Sequence, residues 1–549
     1  MIKILRVFFY LFLAAISSRH FLIQGVPVTH DGQNHLVRFA NYKIAVRELH
    51  LPPRLAPNLV NGYGYPVFNY NYPLANIFSL PFSILNIHYE IAFKIIMTLS
   101  VLFGLVGSNF FLRSRNFSRL ARIFALTVLA VNPYILTSII FRGNIGEIMA
   151  IGILPWIFYL LEKIKNEKVF WSRYFFALTL SLLLLFLAHN IAAFFASILL
   201  LFYSIFNFAK NFTAWRKLAF SFAWAFFMAL WFWLPAIVEK NLITLDQVDL
   251  TLNYYRHFPN LNQLLRLPIE FGYSYWGNVD SMSLGLGGLQ LLILFLSIIY
   301  LLRRKPGQNL VFFLTSFILV LAQLPFSKIL YETVPFADFI QFPWRLSLFL
   351  AITLLPLSAL IFENLSSVGK LFLSLLLLLQ VWQFWQVRPI DFRHQEQIDF
   401  DADAGTTSVN QENMPKSFKF AFFAEKEEPV FILQGEGQVY LEQFYGTKRQ
   451  YQLHLESEAI LVESTAFFPG WETRIDGQKV NYIDDEMIAG RLAYSLPAGD
   501  YQVKSRFTQN TWPRLLGNCL SAFSAVGFIF CFWQMERSNK NRSTRLREK

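Results

Sequence analysis

The chain has 549 residues, of which 55% are hydrophobic, 17% aromatic and 15% charged, and its formal net charge is +12. Soluble domains usually carry about 25% charged residues, so this composition excludes an ordinary water-soluble enzyme, and it equally excludes intrinsic disorder. It is typical of a polytopic membrane protein. The two cysteines, Cys519 and Cys531, lie in one apolar segment near the C-terminus and predict no disulfide framework.

Stretches of roughly 17–25 apolar residues predict membrane-spanning helices. In chain order they predict about twelve crossings of a plasma (inner) membrane, with both termini in the cytoplasm. The predicted crossings are 4–23, 91–112, 123–140, 148–161, 175–188, 191–208, 218–238, 284–302, 309–325, 346–362, 371–387 and 514–533.

The distribution of basic residues supports this topology. Short loops predicted to be cytoplasmic are rich in Lys and Arg, as at 113–122 and 303–305, whereas the long outer segments hold most of the acids. The positive charge is therefore explained by orientation, and no nucleic-acid partner is predicted. Residues 73–87 are apolar enough to cross, but a crossing there would place 113–122 outside, so we predict a helix in the outer interface. Residues 1–20 fit a cleaved signal peptide or a retained anchor, and the lack of a small-x-small cleavage site favours the anchor.

The same pattern predicts a large transmembrane domain followed by a separate outer domain. Short alternating runs and the turn sequence Asp476-Gly477 predict a small extracytoplasmic β-sandwich before the last helix. The predicted units are a transmembrane domain at 1–387 with outer loops 24–90, 239–283 and 326–345, a β-rich domain at 388–511, and a final helix with a basic cytoplasmic tail at 512–549.

Polar residues gather at the predicted outer ends of the helices, so we expect a site that faces the outer leaflet. Asp31 is the only acid between Met1 and Glu48. An isolated carboxylate at a low-dielectric boundary is typical of a general base or a metal ligand. Asp31 also precedes an apparent helix, and a helix N-cap explains it equally well.

Two further charged motifs lie in outer turns. Arg142 and Glu147 stand alone between two crossings, where they form either a structural ion pair or, through Glu147, a second carboxylate near Asp31. Arg345 begins a later helix and either clamps a phosphate or anchors the helix by snorkelling. The candidate substrate-binding residues are His35, Arg38, Arg54, Tyr72, Arg142, His189, Trp276, Trp344 and Arg345.

These motifs resemble known membrane proteins. The order His30-Asp31, Tyr72-Pro73, Arg142-Gly143, Glu147, His189-Asn190 and Gln341-Phe342-Pro343-Trp344-Arg345 resembles bacterial proteins labelled 6-pyruvoyl-tetrahydropterin synthase-related. The block Phe468-Pro469-Gly470-Trp471 is similar to YfhO-like membrane proteins, and both groups are similar to GT-C glycosyltransferases. The resemblance implies a GT-C-like core in which an acid of the first outer loop is catalytic.

On that resemblance, Asp31 and Glu147 are the catalytic candidates and also the candidate ligands of a divalent metal ion. Glu147 follows an arginine and stands in no Asp-x-Asp motif, which leaves metal dependence open. The pterin label does not imply pterin chemistry, because the nine histidines are dispersed without a His-x-His pair. We expect neither a pterin nor a zinc site.

The implied function is transfer of a hexosyl or pentosyl group from a polyprenyl-phosphate donor to a lipid or cell-envelope glycan at the outer face. Arg345, with Arg142 or Arg54, would hold the departing phosphate. The expected partners are the lipid-linked donor, the acceptor and membrane lipids. The alternative is a non-catalytic protein of the same fold that assembles, transports or presents lipid-linked glycans, although the predicted crossings lack the ionisable groups of typical transporters.

Overall fold

The computed structural model describes residues 2–209, 211–248, 253–274, 281–305, 307–402, 405, 411–419 and 427–547. The predicted fold class is confirmed, because apolar helices make up most of the chain and β-strands are concentrated before the last helix. The helices are α1 (Ile2–Ser18), α2 (Gly32–Arg47), α3 (Leu74–Ile84), α4 (Tyr89–Ser114), α5 (Arg119–Ala130), α6 (Pro133–Thr137), α7 (Ile145–Asn166), α8 (Arg173–Ala188), α9 (Asn190–Phe208), α10 (Phe212–Val238), α11 (Leu261–Leu265), α12 (Gly288–Arg303), α13 (Leu310–Leu321), α14 (Lys328–Thr333), α15 (Ser347–Asn364), α16 (Ser367–Gln386), α17 (Gln397–Ala402) and α18 (Trp512–Arg547). The strands are β1 (Val26–Pro27), β2 (Phe392–Arg393), β3 (Val430–Gln434), β4 (Gly437–Tyr445), β5 (Lys448–Leu455), β6 (Ala459–Ala466), β7 (Trp471–Ile475), β8 (Gln478–Lys479), β9 (Arg491–Leu496) and β10 (Gly499–Phe507).

Among the described residues, eight helices are long and apolar enough to cross a membrane, and a bent pair formed by α13 and α14 would make nine. Three predicted crossings correspond to shorter apolar helices, α1, α8 and α12. The count of twelve crossings therefore stays a prediction. Helices α7 and α15 are almost wholly buried, whereas α16 and α18 expose most of their surface, as lipid-facing helices do.

Small residues let the central helices pack closely. A Cβ added to Gly104 of α4 would lie 3.0 Å from the Cα of Gly152 on α7. Because the two glycines face each other, the two backbones approach more closely than larger side chains would permit. This contact fixes α7, whose first turn carries Glu147, against the helix that follows the first long loop.

Helix α3 is too short to cross. Its 11 residues span about 16 Å, against a hydrocarbon core of about 30 Å. Both ends of the first long loop also lie on one side, because Val26 pairs with Arg393 and Glu90 contacts His394 one residue further along. We call this side of the molecule the β-domain side, because the chain continues from β2 on this side to the strands β3–β10. The charge pattern predicts that this side is extracytoplasmic.

Within the described residues, the strands between Val430 and Phe507 form two antiparallel sheets. The order is β4-β5-β10-β7-β8 in one sheet and β3-β6-β9 in the other. Inward-facing side chains of both sheets, including Tyr451, Leu461 and Val503, share one core, as in a sandwich. The Asp476-Gly477 sequence makes the predicted hairpin between β7 and β8, with positive φ at both residues.

A buried polar network joins the two parts of the molecule. Arg514 at the start of α18 donates to Glu239 Oε2 at the end of α10 (2.9 Å), and Asn69 of the first long loop donates to the same oxygen (2.8 Å). Arg54 is wholly buried beside this group and donates to the Trp231 carbonyl (2.6 Å). The network holds the β-rich region and the last helix against the first long loop.

Candidate functional site

Two backbone hydrogen bonds join the first long loop to the turn before α7. The amide of His30 donates to the Phe141 carbonyl (3.0 Å), and the amide of Asp31 donates to the Arg142 carbonyl (2.8 Å). Arg142 ends a short π-helical turn, and Gly143 follows in the left-handed region at φ 63°. These hydrogen bonds bring Asp31 next to Arg142, which is distant in the sequence.

Gly143 is required for this contact. A Cβ at this position would lie 2.4 Å from Thr29 Oγ1 and 2.8 Å from the backbone nitrogen of Gly32. Both distances are shorter than the contacts that Cβ atoms make with neighbouring atoms in proteins. The positive φ adds backbone strain for any residue with a side chain. The Arg142-Gly143 motif therefore sets the distance between the first long loop and α7.

The centre of the site is a buried group of charges around Glu147. Arg142 forms a bidentate ion pair with this carboxylate, in which Nη1 donates to Oε2 and Nη2 donates to Oε1 (2.9 Å). The Tyr134 hydroxyl donates to Oε2 (2.7 Å), and Arg345 Nε lies 3.2 Å from Oε1. Asn144 caps α7 by accepting from the Glu147 amide (3.0 Å), which fixes the start of the helix. Glu147 is thus the shared counter-ion of Arg142 and Arg345.

The Phe342-Pro343-Trp344-Arg345 motif supplies the second cation. It forms a 3₁₀ turn that leads into α15, and Gln341 Oε1 accepts from Arg345 Nη1 (2.6 Å). The Arg142 guanidinium lies over the buried Trp344 ring, 4.8 Å from its centroid. The Trp344 indole donates to Ser274 (3.1 Å), so the predicted outer loop 239–283 is attached to this motif.

Asp31 occupies the N-cap position of α2, but its side chain does not cap the helix. Among the described residues its carboxylate has no hydrogen bond or ion pair, although it is half-buried beside the Arg142 backbone. The cap is instead made by Thr29, which accepts from the Gly32 amide (2.9 Å). This observation favours the first of the two interpretations of Asp31, because its acceptor oxygens stay available.

Tyr72 shows that most of the predicted residues share one environment. Burial raises the pKa of the Tyr72 hydroxyl. The positive charge of Arg38 lowers this pKa, and the negative charges of Asp31 and Glu147 raise it. The charge of Arg345 also lowers it. Groups that interact electrostatically with one hydroxyl lie close together, so these five residues form one site.

Histidines complete the wall of this site. The rings of His189 and Tyr72 lie 4.8 Å apart, and His189 Nε2 lies 3.9 Å from Glu147 Oε1. Burial, aided by Arg345, lowers the pKa of His189 to about 3, so this imidazole is neutral. Burial likewise lowers the pKa of His35, which lies beside Tyr72. Neutral histidines leave the arginines as the cationic groups of the site.

A small cavity of about 20 Å³ lies beside the ion cluster, along α15. Tyr134 and Trp344 line this cavity and contact the cluster directly. Leu350, Ala351 and Leu354 of α15 are among its apolar lining residues. The cavity has room for about one water molecule.

Two predicted residues lie elsewhere. Arg54 belongs to the network at Glu239, where its guanidinium also contacts Gln509 and Asn518, and not to the cluster at Glu147. Trp276 lies outside the described residues.

Sequence reasoning missed other members of the site. Tyr134 follows Pro133 at the start of α6, inside the predicted crossing 123–140, and nothing in the sequence singled it out. The ring of Tyr273 stacks on that of His30 at 4.6 Å, and nothing in their spacing indicated this.

A divalent ion does not fit between Asp31 and Glu147 as they stand. Both Glu147 oxygens accept from Arg142, and a second arginine and a tyrosine lie against them. A cation would have to displace a guanidinium from a carboxylate that two arginines already neutralise. We therefore derive no step through a metal ion here.

These features define a helical membrane protein with a buried arginine–carboxylate site on its β-domain side. Residues 68–389, more than half of the chain, match the family described as the 6-pyruvoyl-tetrahydropterin synthase related domain, a membrane protein. The chain belongs to this family, and the resemblance stated from the sequence is confirmed. Asp31 lies before the matched region. No curated protein matches the sequence.

Several solved structures have a similar course of the chain. They include the arabinofuranosyltransferase AftD from Mycobacteria (15% identity, TM-score 0.45, covering 68% of this chain and 26% of that one). They also include ArnT from Cupriavidus metallidurans bound to undecaprenyl phosphate (12%, 0.45, 68% and 63%) and the Archaeoglobus fulgidus oligosaccharyltransferase (12%, 0.46, 73% and 56%). The present chain spans about a quarter of the length of AftD. At these scores and identities, none of the three bears on the function of this chain.

Proposed function

We propose that the protein is a GT-C-type glycosyltransferase. It would move a hexosyl or pentosyl group from a polyprenyl-phosphate-linked donor to a lipid or cell-envelope glycan acceptor on the β-domain side. The observation that carries this proposal is the half-buried Asp31 carboxylate, which has no partner among the described residues and whose backbone amide is bonded to Arg142 of the buried arginine cluster.

The charges of the cluster suit a phosphate. Arg38, Arg142 and Arg345 contribute three positive charges, and Asp31 and Glu147 contribute two negative ones. The excess of one positive charge in a buried setting favours an anion. Glu147 would act as a positioning residue. Its carboxylate is paired with Arg142 and Arg345 and aligns the two guanidinium groups.

The donor phosphate would lie against Arg345 and Arg142, the two guanidinium groups that share Glu147 as counter-ion. Asp31 would accept the proton of the acceptor hydroxyl as that oxygen attacks the anomeric carbon. The bond from the anomeric carbon to the phosphate oxygen breaks, and its electron pair leaves with the polyprenyl phosphate. The two guanidinium groups stabilise the charge that develops on that leaving group.

The decisive experiment separates transfer from binding. Undecaprenyl phosphate is titrated into the purified chain in nanodiscs, and envelope glycans are compared by mass spectrometry in cells with and without the gene. We expect Asp31→Asn to abolish the gene-dependent glycan without weakening undecaprenyl phosphate affinity, because the change removes a negative charge from the site. Arg345→Gln should weaken that affinity about tenfold or more, because a charged hydrogen bond is worth about 1.5–3 kcal/mol.

Two matched controls have the same chemistry at exposed positions, Asp500→Asn in the β-rich region and Arg266→Gln beside Glu270. Both should behave as the wild type. A gene-dependent glycan that persists in Asp31→Asn would refute the catalytic role and favour the alternative, a protein that presents lipid-linked glycans.

A further inference from the structure

A second cluster of titratable side chains lies on the β-domain side and consists of His88, Glu90 and His394. His394 Nδ1 lies 2.9 Å from Glu90 Oε2, and His88 Nδ1 lies 3.9 Å from the same oxygen. One possible ligand atom of each residue lies within 4.8 Å of those of the other two. Among the described residues this is the group of His, Cys, Asp and Glu side chains whose spacing suits a metal ion.

Burial and backbone hydrogen bonds fix the side chains of Glu90 and His88 in this cluster. The Glu90 side chain is only 4% exposed, and its Oε1 accepts from the backbone amide of Gln395 (3.1 Å). His88 caps α4, since its Nδ1 accepts from the Glu90 amide (3.3 Å). The other ring nitrogen, His88 Nε2, is buried and has no hydrogen-bond partner among the described residues. A buried polar atom without a partner costs free energy, so its presence calls for an explanation.

We propose that His88, Glu90 and His394 bind one divalent transition-metal ion of the Zn²⁺ class. Two imidazoles and one carboxylate suit Zn²⁺, whereas Mg²⁺ and Ca²⁺ prefer oxygen ligands. The fourth position would be filled by water.

Binding needs only small movements. Zinc lies about 2.0–2.2 Å from nitrogen and oxygen ligands, so the three side chains would have to draw together by roughly an ångström. His394 is partly exposed and can make this shift. On binding, the metal would replace the proton shared between His394 and Glu90. Sequence spacing indicates no such site, because His394 follows Glu90 by 304 residues.

The position of the site gives it a structural consequence. His394 comes directly after β2, which pairs with β1 at Val26 and Pro27, just before the loop that carries Asp31. A metal ion would therefore fasten the segment leading to the β-rich region onto the start of α4. This proposal is independent of the proposed glycosyl transfer.

The test uses the full-length chain without an affinity tag, stripped of metal with a chelator, in detergent. Zn²⁺ is titrated by calorimetry, and Mg²⁺ is titrated in parallel. We expect one Zn²⁺ per chain and no Mg²⁺ binding. His394→Ala and Glu90→Gln should each lower the Zn²⁺ affinity at least about tenfold, the loss that even supporting residues of metal sites produce.

The matched control is His454→Ala. His454 is also paired with a carboxylate, Asp500 (2.7 Å), but within the part of the chain that the structure describes this exposed pair has no second histidine beside it. Zn²⁺ should raise the Tm of the wild type and of His454→Ala, and leave that of His394→Ala unchanged. Failure of the wild type to bind Zn²⁺, or an equal affinity in His394→Ala, would overturn the proposal. Loss of glycan transfer plays no part in the readout.

Discussion

Replacing Glu147 with glutamine tests how the site holds its two arginines. The side chains of Glu147 and Arg142 are 1% and 4% exposed, and that of Arg345 is 12% exposed. The amide keeps the shape of the carboxylate but removes its charge, which leaves the guanidinium groups buried without their shared counter-ion. Breaking a buried ion pair from one side costs about 3–5 kcal/mol.

This cost can be expressed as a change in Tm. At about 2.1 cal/mol/K of unfolding entropy per residue, a loss of this size over the chain lowers Tm by at least about 3 °C. The measurement is thermal unfolding of the purified chain in detergent. Glu270→Gln is the matched control, because Glu270 pairs with Arg266 and both side chains are about half exposed. An exposed ion pair contributes about 0.2–1 kcal/mol, so the Tm of this control should hardly change.

A double variant makes the test sharper. In Arg142→Gln combined with Glu147→Gln, one cation and one anion are lost together, so much of the Tm should return. The single variant Glu147→Gln should also bind undecaprenyl phosphate more tightly, since its arginines lack their internal anion. A Tm loss in Glu147→Gln no larger than that in Glu270→Gln would refute the reasoning.

Three further outcomes are expected. Gly143→Ala should abolish the gene-dependent glycan, since its Cβ would lie 2.4 Å from Thr29 Oγ1; Gly62→Ala, also at positive φ but with open space around it, should not. Burial lowers the pKa of His189 from 6.5 to about 3, so the unfolded chain binds a proton that the folded chain excludes. Tm should therefore fall as the pH drops from about 6.5 towards 3, and His189→Gln should make that fall shallower; an unchanged slope would contradict this. Arg54→Gln should lower Tm and leave undecaprenyl phosphate affinity intact, because its partners belong to the Glu239 network; the opposite result would place Arg54 at the donor phosphate.

The sequence predicted some site residues because their chemistry is conspicuous in an apolar chain. Asp31, Arg142, Glu147 and Arg345 stand out as isolated charges at helix ends, where a charge is costly unless it has a function or a partner. The sequence also predicts on which side of the membrane these residues lie, because loop charge is a local property. Tyr134 did not stand out, since tyrosines are common at the ends of membrane helices.

Other assignments needed contacts that sequence spacing does not contain. Arg54 looked like another phosphate ligand, but folding buries it against Trp231 and the last helix. The N-cap interpretation of Asp31 was equally compatible with the sequence, but Thr29 accepts from the Gly32 amide and the Asp31 carboxylate has no partner among the described residues. Which of two nearby polar residues accepts a hydrogen bond depends on backbone angles that composition does not fix.

By itself, the sequence determined the membrane class, the helical core and the strands before the last helix, because hydrophobic length and alternation are written along the chain. Tertiary structure alone decided that Gly143 brings Asp31 against Arg142, and that His88 and Glu90 meet His394 across the β1–β2 pair. Those contacts join segments that are distant in sequence, and only the packing of helices and loops in three dimensions sets their separation.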